Sequence, residues 1–267
     1  MDKLPYDIIN IIKGYVIFRP YNEKELKDAI DLWCKNKDNA IIRYGYISNW
    51  DTSLITDMSG LFKDKDVFND NINNWDVSNV TNMANMFFAT ESFNQPINSW
   101  DVSSVTTMEG MFYGAFLFNQ PLNTREVTKD NGSIYKAWDV SSVTNMDGMF
   151  RCALSFNQPL DSWDVSSVKD MCLMFSYASS FNQPIGLWNV SSVTNMYCMF
   201  ASAKLFNQKL DSWDVSSVFD MGFMFYKASS FNQSLYSWDV SNVMNMGEMF
   251  SNDSSFDRGN ALWYNFG

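Results

Sequence analysis

Seven aspartates, Asp51, Asp76, Asp101, Asp139, Asp164, Asp214 and Asp239, fall at one position of a recurring phrase, and Asn189 takes that position once. A file of carboxylates could do chemistry in two ways. Two of them in one cleft could act as acid and base in glycoside cleavage, or a column could share a cation such as calcium. The residues favour neither. Ligands at calcium-loop spacing are missing, and a periodic carboxylate already has a structural explanation. Stacked like charges repel, so each side chain is expected to accept a backbone N–H two or three residues on, an Asx turn that Asn189 serves equally well.

The remaining reactive inventory is thin. The chain has no His, which removes the usual near-neutral acid or base and the commonest metal ligand. Cys34, Cys152, Cys172 and Cys198 form no CxxC pair, so neither a zinc cluster nor a disulfide ladder is expected. A reduced, intracellular setting is favoured over secretion. Paired methionines such as Met171 and Met174 could be soft-metal ligands, but their spacing beside Phe assigns them to a core. A net charge of -11 opposes binding to a phosphate backbone. No catalytic residue, cofactor, metal or nucleic-acid partner is therefore expected. With 46% apolar and 16% aromatic residues, the chain has ample material for a core.

What positions these residues is a repeat. From residue 50 onward Trp occurs at 50, 75, 100, 138, 163, 188, 213, 238 and 263, so every gap there is 25 residues except one of 38. The Trp-Asp pairs suggest a propeller, but propeller repeats run to about 40–45 residues. Counting slots from each Trp gives W-D-V-S-x-V-T-N-M-x-x-M-F-x-x-A-x-x-F-N-Q-P-L-x-S. Slots 23 to 3, as in Leu160-x-x-Trp163-x-Val165, read as a leucine-rich-repeat strand with Trp in a Leu position. Slots 9, 12, 13 and 16 have helical spacing, which predicts one or two helical turns carrying Met171, Met174, Phe175 and Ala178. Slot 20, Asn69 to Asn232 and then Asp257, is expected to form a ladder bonding the turn backbones.

A single repeat buries too few apolar side chains to offset ordering 25 residues. Stacking is required. The expected fold is a leucine-rich-repeat-like repeat solenoid of short parallel strands and short helical turns, about eight coils spaced about 4.8 Å apart, with a helical N-terminal cap.

Residues 1–46 lie outside the phrase, and residues 47–267 form the repeat region. Pro5 to Phe18 carries a helical apolar stripe, and Asn22 with Glu25 predicts a capped helix to about Asn36. These elements cover the first coil or dock elsewhere. Asp7 and Lys13 interrupt the opening apolar run and no small-residue cleavage site follows, so no secretory signal is expected. The run is also shorter than the about 20 residues of a bilayer span.

The 38-residue gap holds thirteen extra residues, Thr124 to Lys136. Asn131-Gly132 between β-branched residues predicts a protruding hairpin, either a tolerated insertion or a binding loop. The chain ends early in a ninth coil, at Trp263 to Gly267. That half coil or another subunit is expected to cover the end.

Variation marks candidate contacts. Slot 11 reads Gly60, Asn85, Gly110, Gly148, Leu173, Cys198, Phe223, Glu248; slot 10 adds Cys172 and Tyr197; slot 7, usually Thr, becomes Lys169, Phe219 and Met244. Facing outward, Leu173, Tyr197, Cys198, Phe219, Phe223 and Met244 would form one apolar interface patch. Facing inward, they would pack on one another. Asn131 and Gly132 at the hairpin tip are a second candidate.

The phrase FNQPLxSWDVSxVTxMxxMFxxA from Trp50 to Gly267 resembles the repeat of the BspA-like leucine-rich-repeat surface proteins, a family found also among mycoplasma lipoproteins, protists and large DNA viruses. The resemblance implies a right-handed solenoid used in binding or adhesion, without catalytic residues. The opening Leu4-Pro5-x-Asp7-Ile8-Ile9-x-x-Ile12 also resembles the start of an F-box, which implies recruitment of a ubiquitin ligase. The leading expectation is a non-enzymatic scaffold binding another protein. An F-box-like substrate adaptor, a surface adhesion protein and, last, a glycan-acting enzyme are the alternatives.

Overall fold

The computed structural model of the chain describes residues 17–129, 131–251 and 255–266. The F-box-like opening, and nearly all of the apolar stripe before Phe18, lie outside the described residues. Helix α1 (Glu23–Lys35) starts where the capping pair predicts. Asn22 accepts the Glu25 N–H at 2.9 Å, and the Glu25 carboxylate takes the Tyr21 N–H at 2.8 Å. Asn36 then caps a short second helix, α2 (Lys37–Tyr44), which the periodicity did not announce. Leu26, Ala29, Ile30 and Trp33 are the buried face of α1. Trp33 and Phe18 meet Trp50 edge-on, at ring-centroid distances of 5.8 and 5.2 Å.

From Trp50 onward the backbone is a chain of turns. In the Trp163 repeat, N–H groups reach back three residues from Val168 to Val165, Met174 to Met171, Ala178 to Phe175, Phe181 to Ala178 and, into the next repeat, Trp188 to Ile185. Apolar residues three apart thus stand at the two ends of one turn and face one interior. The N–H groups at slots 9, 11, 13 and 15 point along the stack instead. Met146, Gly148, Phe150 and Cys152 donate to the carbonyls of Asp170, Cys172, Met174 and Ser176 at 2.7–2.9 Å. Slot 7 returns one bond, from Lys169 to Thr144 at 2.8 Å.

This alternation places slots 11 and 15 in left-handed backbone, with φ of 57° at Gly148 and 58° at Cys152, the conformation a type II turn requires at its third residue. Two local expectations change as a result. Slots 23 to 3 are turns, and the parallel bridges run through slot 8, from Asp57 to Asn82, Thr107, Asn145, Asp170, Asn195, Asp220 and Asn245. Slots 9 to 16 are consecutive turns, because a left-handed residue at slot 11 stops a right-handed helix. Met171, Met174, Phe175 and Ala178 are nonetheless fully buried, as the spacing predicts.

Three aromatic files fill the interior. Neighbouring rings lie 5.3–5.8 Å apart in the slot-13 Phe file, 5.8–6.1 Å in the slot-19 Phe file and 6.1–6.5 Å in the stacked Trp pairs.

Each indole N–H from Trp75 onward donates to the slot-23 carbonyl that leads into the preceding Trp, at 2.7–3.2 Å. The slot-20 Asn side chains form the expected ladder, each accepting the slot-20 N–H of the following repeat at 2.8–3.0 Å. At slot 2, every Asp, and Asn189, accepts the N–H two residues on at 3.0–3.3 Å. The insertion is an antiparallel pair, β1 (Arg125–Thr128) with β2 (Ile134–Ala137). It docks through the Tyr135 hydroxyl on the Ser99 carbonyl, and Trp138 still joins the Trp file. At the far end, Phe266 lies against Phe250 and Phe256, covering the Phe files. Val240 and Val243, at slots 3 and 6 of the last full repeat, stay partly exposed.

Two measurements test this framework. The Asn157 Oδ1 accepts both the Asn182 N–H and the Gln183 amide at 2.9 Å. Asn157→Ala strands the Asn182 N–H, while the Gln183 amide keeps its bond to the residue-157 carbonyl at 3.0 Å, and should destabilise the chain by about 1–3 kcal/mol, seen as a lower urea midpoint; an unchanged midpoint would contradict the ladder. The Ser216 hydroxyl, and then its N–H, hold the Asp214 carboxyl below its ordinary value. Such a group adds stability above the unfolded-chain pKa and loses it as pH falls through the folded value. Ser216→Ala should raise the Asp214 titration midpoint in carboxyl NMR.

Candidate interaction face

The bridged side is built from slots 7 to 14. Slot 8 carries Asp, Asn or Thr because its side chain accepts the N–H of slot 10, as Asp170 does from Cys172 at 2.8 Å and Asp220 from Gly222 at 2.9 Å. These side chains also meet each other. Asn195 donates to Asp170 at 3.3 Å and Asn245 to Asp220 at 2.9 Å. The result is a polar row along the stack.

Slot 11 lies past this row, in the left-handed conformation. Leu173, Cys198 and Phe223 adopt φ of 56°, 55° and 58°, where Gly60, Gly110 and Gly148 sit without a clashing Cβ. A bulky residue there costs roughly 1–2 kcal/mol. All three are half-buried, as is Tyr197. Phe223 packs edge-on against Tyr197 at 5.9 Å and Tyr226 at 5.5 Å.

Phe219 and Met244 lie on the other side of the polar row, 45% and 90% exposed. They succeed Thr194 in the slot-7 file, with Phe219 N–H on the Thr194 carbonyl and Met244 N–H on that of Phe219. The six residues expected as one patch are thus two apolar lines divided by slot 8. Asn131 and Gly132 are exposed at the hairpin tip. Gly132 has φ 82° and donates to the Lys129 carbonyl, and Asn131 accepts the Ser133 N–H at 3.0 Å. Their hairpin leaves from slots 24 and 25, so the tip does not join either line.

Slot 14 was missed in the sequence reading. Lys63 lies over Phe88 at 4.7 Å, Phe88 against Tyr113 at 4.4 Å, and Arg151 over Tyr113 at 5.1 Å. The signal was present in the cation–aromatic–aromatic–cation order of slot 14 through four consecutive repeats.

Below Arg151, Asp147 is raised by burial and by the charges of Asp170 and Glu109. Burial, with Asp147 and Asp170 beside it, pushes the Cys172 thiol up to about 12, and burial raises Cys198. Both thiols stay protonated near neutral pH, the unreactive form. Among the described residues, no group of three or more Cys, Asp or Glu is placed to hold a metal ion, and no helix is long and apolar enough to cross a membrane.

No curated protein matches the chain, and no solved structure matches it. One family model does match, in three overlapping segments, residues 34–135, 129–204 and 185–265. These cover the turn-built repeats from before Trp50 to beyond Trp263, and the chain belongs to the family described as Mycoplasma protein of unknown function, DUF285.

Proposed function

We propose that the chain is a non-catalytic repeat solenoid of the BspA-like leucine-rich-repeat kind, closed at its start by a helical cap, which binds another protein on its bridged face. The observation that carries this reading is the run of Leu173, Cys198 and Phe223 at left-handed positions. Backbone strain persists where the surroundings or a function require it. Here the frame gains nothing from bulk, since Gly60, Gly110 and Gly148 serve the same turn. The absence of His and the raised thiol pKa values support a role without nucleophilic or acid–base chemistry.

Replacing Leu173 and Phe223 together by Gly should leave the urea midpoint nearly unchanged, as relief of the left-handed strain offsets lost side-chain contact. The same variant should lose the proteins that the wild-type chain captures from its native source, read by mass spectrometry. An unaltered set of captured proteins would overturn the assignment of this face.

A further inference from the structure

A second surface lies across the core, at slots 22 to 25. In three repeats the slot-25 Ser hydroxyl donates to the slot-24 carbonyl of the repeat before it: Ser99 to Asn73 at 2.9 Å, Ser212 to Gly186 at 2.6 Å and Ser237 to Asp211 at 2.6 Å. Leu187 breaks this ladder. It has no hydroxyl, is 92% exposed, and leaves the Asp161 carbonyl without a donor among the described residues. The neighbouring Gly186 contributes no side chain, so the Lys209 carbonyl sits where a Cβ would stand.

The two changes open a groove of about 610 Å³ across neighbouring repeats, floored by Ile185 and the edge of Trp188 and lined by Leu187 and Pro184. Asp161 and Asp211 also line it, with Lys209 as its one cation. None of these three is ion-paired among the described residues. An exposed Leu, two free carboxylates and an unmatched carbonyl call for an occupant that is apolar in part and rich in donors.

We propose that this groove binds an extended basic segment of another protein, with an Arg side chain donating to the Asp161 carbonyl and carboxylate while an adjacent apolar residue covers Leu187. Arg fits because its guanidinium presents several donors in one plane and carries an apolar stem. The bridged face plays no part in this proposal, so either surface can fail its test alone.

The test is a titration of the isotope-labelled full chain with the peptide acetyl-Leu-Arg-Leu-amide, followed by amide NMR. Shifts should concentrate at Gly186, Leu187 and Ser212 and weaken with added salt. Leu187→Ser restores the hydroxyl ladder and should reduce affinity about tenfold, equivalent to one lost hydrogen bond with its apolar contact. It should leave the fold intact, because Ser occupies the same slot at 99, 162, 212 and 237. Equal binding by Leu187→Ser, equal binding of acetyl-Leu-Glu-Leu-amide, or no localised shifts at millimolar peptide would each overturn the proposal.

Discussion

A chain built almost wholly of turns must still find a partner for every buried backbone N–H. Here the donors divide. One set closes turns within the repeat, and the other crosses to the next repeat through slots 9, 11, 13 and 15. Most of the remaining design follows from that division. Left-handed residues at slots 11 and 15 redirect alternate N–H groups along the stack. Side chains at slots 2, 8 and 20 accept donors that neither set satisfies. Because half of each repeat's hydrogen bonds belong to its neighbours, the stack holds together only as a series.

The period, the inward slots, the Asn ladder and the Asx turns at slot 2 were all legible, because each has a cause that recurs every 25 residues. The backbone path was not. Apolar residues three apart fit a helical turn and a chain of β-turns equally well, since both close hydrogen bonds over about that distance. The discriminating residues were Gly60, Asn85, Gly110 and Gly148, which favour left-handed backbone. At the candidate face, the variable slots could be picked out from the phrase. Their division into two lines could not, because it depends on Asp170, Asn195, Asp220 and Asn245 folding onto the backbone and onto each other.

Departures from the phrase differ in what they do to the frame. The thirteen-residue insertion disturbs it only locally: Trp138 takes φ 52° and donates its backbone N–H to the Trp100 carbonyl, yet it stacks on Trp163 at 6.2 Å. Leu173 and Phe223 place bulk in a strained conformation, and Leu187 removes a hydroxyl from a ladder. These substitutions give up local stability without a gain in the core. They fall in the Trp163 and Trp213 repeats.

The two surfaces on those repeats differ in their physics. Leu173, Tyr197, Cys198 and Phe223 are half-buried and apolar, so recognition there depends on shape and on water released from rings, and salt has little effect. The groove at Leu187 is bordered by exposed, unpaired carboxylates, whose attraction is screened over about 8–10 Å at physiological ionic strength. The aromatic files stand between the two surfaces. A partner seated on the bridged face would leave the groove open, and neighbouring repeats could then hold two chains at once, one of them released by salt well before the other.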